Sequence, residues 1–280
     1  ICKTQKRQLN RNKDMSSTLI IITGSSRGFG AELAVQFATS ASSNIHFVLT
    51  GRDSEKLEET KASIKALKPE SKTTFTFDIF TFDLGDLENL EEITEKLFRS
   101  ACKSNSVDLV EYEKIILVNN AGTLGPLSAI GSQDSKTSLS GYTQSFGFNV
   151  TSYCYLTTEF MRLYSSSMLN TKTIVIVNVS SIAAIKPFES WAVYCAGKAA
   201  RNMFYECLAL ENQDDKNVSI LNYSPGAMDT NMQKEIRVAP GLHKETQEYF
   251  KNLKNDNKLV NTADSARKLV KIVAWGEYTP

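Results

Sequence analysis

Three glycines in the first strand-to-helix turn constrain this chain more than anything else in it. Thr18 to Thr23 (TLIIIT) is a short β-branched apolar run, Gly24, Gly28 and Gly30 follow at relative positions 1, 5 and 7, and AELAVQFATS then carries a helical pattern. Glycine lets a backbone bend sharply and leaves no Cβ between it and a bound group. The helix behind it offers unpaired N–H groups and the positive end of its dipole, which suits an anion such as a pyrophosphate. The spacing is neither G-x-G-x-x-G nor a P-loop, which would need Gly-Lys-Ser/Thr.

The same alternation runs down the chain. Strands are expected at Ile45 to Thr50, Thr73 to Phe82, KIILVNN, TIVIVNVS and VSILNYS. Helices are expected through SEKLEETKASIKAL, LENLEEITEKLFRSACKS, NVTSYCYLTTEFMRLYSSS, about Val193 to Glu211, and ADSARKLVKIVAW. Strands this apolar belong inside a parallel sheet with helices on both faces, so the predicted class is α/β, a single-domain Rossmann-like doubly wound sheet. An eight-stranded barrel competes, but a nucleotide at the sheet's carboxyl edge explains the glycine turn better. Thr123 to Tyr142 and Pro225 to about Asn257 read as loops over that edge, where they would shape a substrate pocket. With no linker or repeat, residues 15–280 are expected to form one domain. Residues 1–14 (ICKTQKRQLNRNKD) read as a disordered or non-native head; a transit peptide would be more amphipathic and Ser-rich.

Composition excludes several functions. The formal net charge is +1, and the head holds more than this excess in Lys3, Lys6, Arg7, Arg11 and Lys13, so the remainder is mildly acidic and unsuited to nucleic acid. No stretch is apolar for long enough to span a membrane, and no secretory signal is visible, so a cytoplasmic protein is expected. The five cysteines are odd in number and lack C-x-x-C spacing, which suits reduced thiols. His46 and His243 are the only histidines, and no ligand-like cluster accompanies them, so no metal is expected.

The cofactor expected at the turn is NADP, as NADPH. Gly24, Ser25, Ser26, Arg27, Gly28, Phe29 and Gly30 would surround its pyrophosphate. The second strand ends in Gly51 and Arg52, where a protein selecting NAD usually places a carboxylate on the ribose. Arg52 and Arg27 converging on a 2′-phosphate would favour NADPH, since guanidinium binds phosphate through paired charge-assisted bonds. Asp53 is the opposing signal. Asp83 and Leu84, after the third strand, are expected beside the adenine.

Further on, Tyr194 and Lys198 lie four residues apart, so on one helix they share a face, and an ammonium beside a phenol is expected to lower its pKa. Ser181 stands thirteen residues before the tyrosine, and Asn119-Asn120-Ala121-Gly122 lies upstream. Together with the glycine turn, this ordered set resembles the short-chain dehydrogenases/reductases over about residues 16–275. The resemblance implies hydride transfer from a nicotinamide to a carbonyl carbon, with Tyr194 protonating the oxygen and Ser181 hydrogen-bonding it. It implies Lys198 on the nicotinamide ribose, Asn149 anchoring a proton-relay water, and Asn120, Ala121 and Gly122 beside the cofactor. Ser180 fits the spacing less well than Ser181.

SSRGFG, NNAGTLG, KPFESWAVYCAGKAARNMF and LNYSPGAMDTNMQ are similar to a pterin-reducing branch of that family. The likeness implies a small-molecule pterin substrate, such as sepiapterin or 6-pyruvoyl-tetrahydropterin in tetrahydrobiopterin biosynthesis, and a homodimer with the Asn149 and Val193 helices as its candidate surface. Gly226 would border the substrate, and Met228, Asp229, Thr230, Asn231, Met232 and Gln233 would close over the cofactor. Phe188 and Trp191 are read first as core and second as stacking partners for a pterin. That branch anchors its substrate through an Asp past the final helix. The sequence reaches Pro280 before any match, and neither Asp264 nor Glu277 is assigned that role. A general carbonyl reductase and a catalytically silent NADP sensor are the competing functions.

Overall fold

The computed structural model describes residues 17–67, 73–103, 112–131, 138–164 and 173–275; the head, Cys2 and Glu277 lie outside them. Six strands form one parallel sheet: β1 (Ser17–Ile22), β2 (Asn44–Gly51), β3 (Phe75–Thr81), β4 (Tyr112–Asn119), β5 (Thr173–Val179) and β6 (Val218–Tyr223). They lie in the order β3-β2-β1-β4-β5-β6. The chain winds outward from β1 in one direction through β3 and in the other through β6, so the strand order reverses between β1 and β4. Ile22 is in register with Leu49 on one side and Val118 on the other. This is the expected doubly wound α/β sheet, and ligands of such sheets bind at that reversal, outside the carboxyl ends of the strands.

Alternate residues of each strand feed two separate cores. Ile20, Ile22, Phe47, Leu49, Val118 and Val177 face α1 (Gly28–Thr39), α2 (Ser54–Lys65) and α9 (Thr262–Trp275) through Leu33, Phe37, Leu57, Leu269 and Val273. Leu19, Ile21, Val48, Leu117 and Ile176 face α3 (Leu90–Lys103), α5 (Ser152–Tyr164) and α6 (Ala192–Glu211) through Leu97, Phe98, Leu156, Phe160 and Tyr205. Burial on both faces is why the central strands read as continuous apolar runs. β3 differs because it is an edge strand, only half-buried, and it is shorter at both ends than the run from Thr73 to Phe82.

Three stretches depart from expectation. The second half of the region from Thr123 to Tyr142 begins a helix, α4 (Leu139–Phe146), which runs through a π-helical turn at Gly147–Thr151 into α5. Asn149 therefore sits inside a helix and not at its start. Between Pro225 and Asn257 there are two helices, α7 (Asn231–Val238) and α8 (Lys244–Asn255), instead of an open loop. Ile236 and Phe250 of these helices pack with Leu124, Trp191 and Tyr194 into a third apolar cluster above the sheet edge. No helix among the described residues is long and apolar enough to cross a membrane.

Candidate active site

A cleft of about 1350 Å³ opens above the reversal between β1 and β4. Its floor is the glycine turn. Gly24 (φ +69°) packs so closely on the turn after β4 that a Cβ there would lie 2.7 Å from the Ala121 Cβ. Gly30 cannot carry a side chain either, because a Cβ would meet Gly24 O at 2.3 Å. Gly28 (φ +58°) faces the cleft instead, and the nearest atom to a Cβ built on it is Thr230 Cγ2 at 3.7 Å. The turn thus holds a cradle that a side chain would fill, at the N-terminus of α1, and it fits a dinucleotide phosphate without further assumption.

The turn is fastened from below by residues that do not reach the cleft. Ser25 is fully buried; its Oγ accepts from Thr50 N at 3.0 Å, and its carbonyl accepts from Thr60 Oγ1 at 2.9 Å. Ser25 and Gly30, expected as cofactor contacts, therefore shape the turn and do not line the cleft. Thr23 is the residue that the sequence reading passed over. Its buried Oγ1 accepts from Asn120 N at 2.9 Å and Ala121 N at 3.2 Å, while Asn120 Nδ2 returns bonds to Thr23 O and Gly24 O at 2.9 and 3.1 Å. A hydroxyl just ahead of the first glycine was the available signal. Both sides of the sheet reversal are locked to each other through it.

At the far end of this half of the cleft, Ser26, Arg27, Gly51 and Arg52 line the wall with Asp83 and Leu84. Arg52 Nη1 lies 3.3 Å from Asp83 Oδ2, and both groups are well exposed. Asp53, the carboxylate that would argue for a bare ribose, lines the same wall and is partnered by Lys56. It caps α2, accepting from Lys56 N at 3.2 Å, and that bond, with the Lys56 ammonium, holds its carboxyl below the usual range.

Ser181, Tyr194 and Lys198 all reach the wall of the other half. Ser181 lies two residues past β5 and caps a short 3₁₀ turn (Ile182–Ala184), where its Oγ accepts from Ala183 N at 3.2 Å and is left with its own O–H to donate. Tyr194 and Lys198 share the buried face of α6, as their spacing requires. Lys198 is 4% exposed and donates to Val179 O at 2.8 Å.

The expected drop in the tyrosine pKa does not occur. Burial pushes the Tyr194 phenol up to about 12, against smaller downward pulls from its hydrogen bond with Ser181 and from Arg201. Burial, then the charge of Arg201, also holds Lys198 well below the ordinary amine value, so the neighbour that was to act as an ammonium is itself discouraged from being one. The phenol consequently keeps its proton through neutral pH.

Asn149 does not line the cleft. Its amide clamps Thr123, with Oδ1 accepting from Thr123 N at 3.1 Å and Nδ2 donating to Thr123 O at 2.9 Å. The π-helical turn is what places it there, and such turns recur at functional sites. Gly122 lies between the two groups: a Cβ on it would be 3.7 Å from Lys198 Nζ and 3.8 Å from Asn149 Oδ1.

Gly226 and Met228 to Gln233 also line the cleft. This segment is stitched to the stretch just before α9 by Val260 N donating to Ala227 O at 2.8 Å, and Asp229 is paired with Lys254 and Arg237. Trp191 proves to be core, 4% exposed, with one face stacked on Phe250 at 5.2 Å and an edge contact with the Tyr194 ring at 5.5 Å. Phe188 is half-buried, lines the same cleft, and packs its ring against Trp191 at 5.3 Å.

Residues 18–240 match the family model described as short chain dehydrogenase. Sepiapterin reductase of Bos taurus is 35% identical over 92% of this chain and 90% of its own length. Benzil reductase ((S)-benzoin forming) of Bacillus subtilis is 32% identical over 78% of both chains. The crystal structure of the KRED1-Pglu enzyme superposes with a TM-score of 0.71 at 21% identity, covering 94% of this chain and 96% of that one. By fold, site geometry and sequence, the chain belongs to the short-chain dehydrogenase/reductase family and is a reductase related to the sepiapterin and benzil reductases.

Proposed function

We propose that this protein is an NADPH-dependent reductase of pterin side-chain carbonyls, of the kind carried by sepiapterin and 6-pyruvoyl-tetrahydropterin. The observation that carries the reading is the Tyr194 phenol: protonated, hydrogen-bonded to Ser181, and set between the glycine-floored half of the cleft and the aromatic half. The similarity to sepiapterin reductases over 92% of the chain supports a pterin as the substrate.

Gly24, Gly28, Asn120 to Gly122 and the segment from Met228 to Gln233 would hold the dinucleotide, and Arg27 and Arg52 would take its 2′-phosphate. NADPH supplies the hydride. Tyr194 gives its phenolic proton to the carbonyl oxygen, and Ser181 Oγ donates a hydrogen bond to the same oxygen, so negative charge is neutralised as it develops. Lys198, on the cleft wall, would hold the nicotinamide ribose, and the proton that Tyr194 gives up is replaced from solvent. Phe188 offers its ring to the planar heterocycle. Pairing of two protomers through α5 and α6 would cover Met203 and Leu210, which are 60% and 66% exposed.

The second reading, a general carbonyl reductase, draws support from the likeness to benzil reductases. Steady-state oxidation of NADPH and NADH with sepiapterin, benzil and simple ketones separates the two. Turnover of sepiapterin well above the others, with NADPH preferred, supports the pterin assignment. Benzil reduced faster than sepiapterin moves the assignment to diketones, and tight NADPH binding without turnover of any carbonyl leaves a nucleotide sensor.

A further inference from the structure

Arg201 lies three residues after Lys198 on α6 and is completely buried, yet no carboxylate pairs with it among the described residues. Both terminal nitrogens of its guanidinium are spent on the turn that carries Asn120, Ala121 and Gly122, while the buried Nε has no hydrogen-bond partner. Nη2 donates to Asn119 O at 2.8 Å and Nη1 to Ala121 O at 3.3 Å, while the carbon of the guanidinium sits 3.8 Å above the Tyr153 ring of α5. Tyr153 OH donates to the same Ala121 O at 2.7 Å, so a cation and a phenol hold one carbonyl from two helices. The next residue, Gly122, is the one flanked by Lys198 and Asn149.

A buried, unpaired cation is expensive, and replacing such a group by an apolar side chain is often neutral or stabilising. Stability alone is thus a poor reason for an arginine at this point. A rigid fork that grips two carbonyls of a cofactor-facing turn is a good one.

We propose that Arg201 is a positioning residue of the reaction: it fixes the Asn119-to-Gly122 turn against the cleft and sets the local charge felt by Lys198 and Tyr194. The titratable groups facing it are Tyr153 and Cys154 of α5 and Tyr194, Lys198 and Tyr205 of α6, and Arg201 bears on each of them electrostatically. Removing its charge relieves the downward pull on both Lys198 and Tyr194, so the alkaline limb of reduction moves to higher pH. For its turnover arm this inference rests on the carbonyl-reductase reading; its nucleotide-binding arm does not.

The test compares Arg201→Met, Arg201→Lys and Tyr153→Phe with the parent protein, using thermal unfolding, NADPH fluorescence titration, and the pH profile of kcat with sepiapterin. Arg201→Met is expected to unfold within a few degrees of the parent, to bind NADPH on the order of tenfold more weakly because a displaced turn is costly at a reaction site, and to shift the alkaline limb upward. Arg201→Lys keeps the charge and loses the fork, so the limb stays while NADPH affinity falls by a smaller factor. Because Arg201 and Tyr153 hold the same carbonyl, their effects on NADPH affinity should couple and not add.

Parental NADPH affinity and an unmoved limb in a folded Arg201→Met overturn the proposal. If that variant does not fold, parental affinity and kcat in Arg201→Lys overturn it instead. If the parent reduces no carbonyl, the functional reading has failed, and NADPH affinity across the three variants still decides the role of Arg201.

Discussion

Gly28 and Gly30 stand two residues apart in the same turn, and alanine at each should do opposite damage. At Gly30, φ is ordinary for a helix, but the new Cβ would lie 2.3 Å from Gly24 O and 2.5 Å from Asn120 Nδ2. The overlap is with backbone and with an amide held by two hydrogen bonds, so it cannot relax cheaply. Overpacking costs roughly 1–3 kcal/mol and each hydrogen bond loosened about 1 kcal/mol, offset by up to about 1 kcal/mol of helix propensity, which leaves a loss of about 3 kcal/mol. At Gly28, φ is +58° and nothing approaches within 3.7 Å, so the cost is the left-handed conformation alone, roughly 1–2 kcal/mol and partly offset through the unfolded chain. Its Cβ would instead occupy the cradle. Urea unfolding followed by circular dichroism, paired with NADPH titration, reads both quantities. Gly30→Ala should lose about 3 kcal/mol, and Gly28→Ala should lose about 1 kcal/mol yet bind NADPH at least tenfold more weakly. Equal destabilisation by the two, or undiminished NADPH affinity in Gly28→Ala, would refute the division of the turn into a packed glycine and an open one.

Arg52→Ala should weaken NADPH by about one to two orders of magnitude, the worth of a charge-assisted pair, while leaving NADH nearly untouched; a ratio of the two affinities equal to the parent's would remove Arg52 from the 2′-phosphate. Tyr194 and Tyr205 are each pushed up to about 12 by burial, and Tyr153 is also raised. Their folded values exceed the unfolded one, so this stability is fully present below about pH 10 and is lost as pH rises toward about 12, at about 3 kcal/mol for each of the two larger shifts. Urea midpoints measured from about pH 8 to about pH 11 should fall steeply only above about pH 10; a flat profile would contradict the burial of these phenols.

Much of this molecule could be read before its coordinates were known. The alternation of apolar strands with helices led to the doubly wound sheet because central strands buried on both faces leave an unbroken apolar signature. Tyr194 and Lys198 were legible as a pair because a helix converts an interval of four into a shared face, whereas Ser181 was reached through the family resemblance. The helices at Asn231–Val238 and Lys244–Asn255 were not, because Pro225, Gly226, Pro240 and Gly241 punctuate a strongly polar stretch whose apolar residues, Met232, Ile236, Phe250 and Leu253 among them, are too sparse to mark a period. Arg201 was hidden by its type: an arginine on a helix reads as a solvated face. The clue was its place on the stripe of Tyr194, Lys198, Arg201 and Tyr205, which is polar but faces inward. The pKa of Tyr194 was misjudged for a related reason, as spacing reports which charges are near and not how far both partners are from water.

The most direct measurement is single-turnover oxidation of bound NADPH by sepiapterin in the parent and in Tyr194→Phe, with NADPH affinity titrated in parallel. The predicted result is unchanged NADPH affinity with oxidation slowed by about 10²–10⁴-fold, the usual contribution of a positioned general acid. Oxidation by the variant at the parental rate would contradict the role of Tyr194 as the proton donor of this cleft.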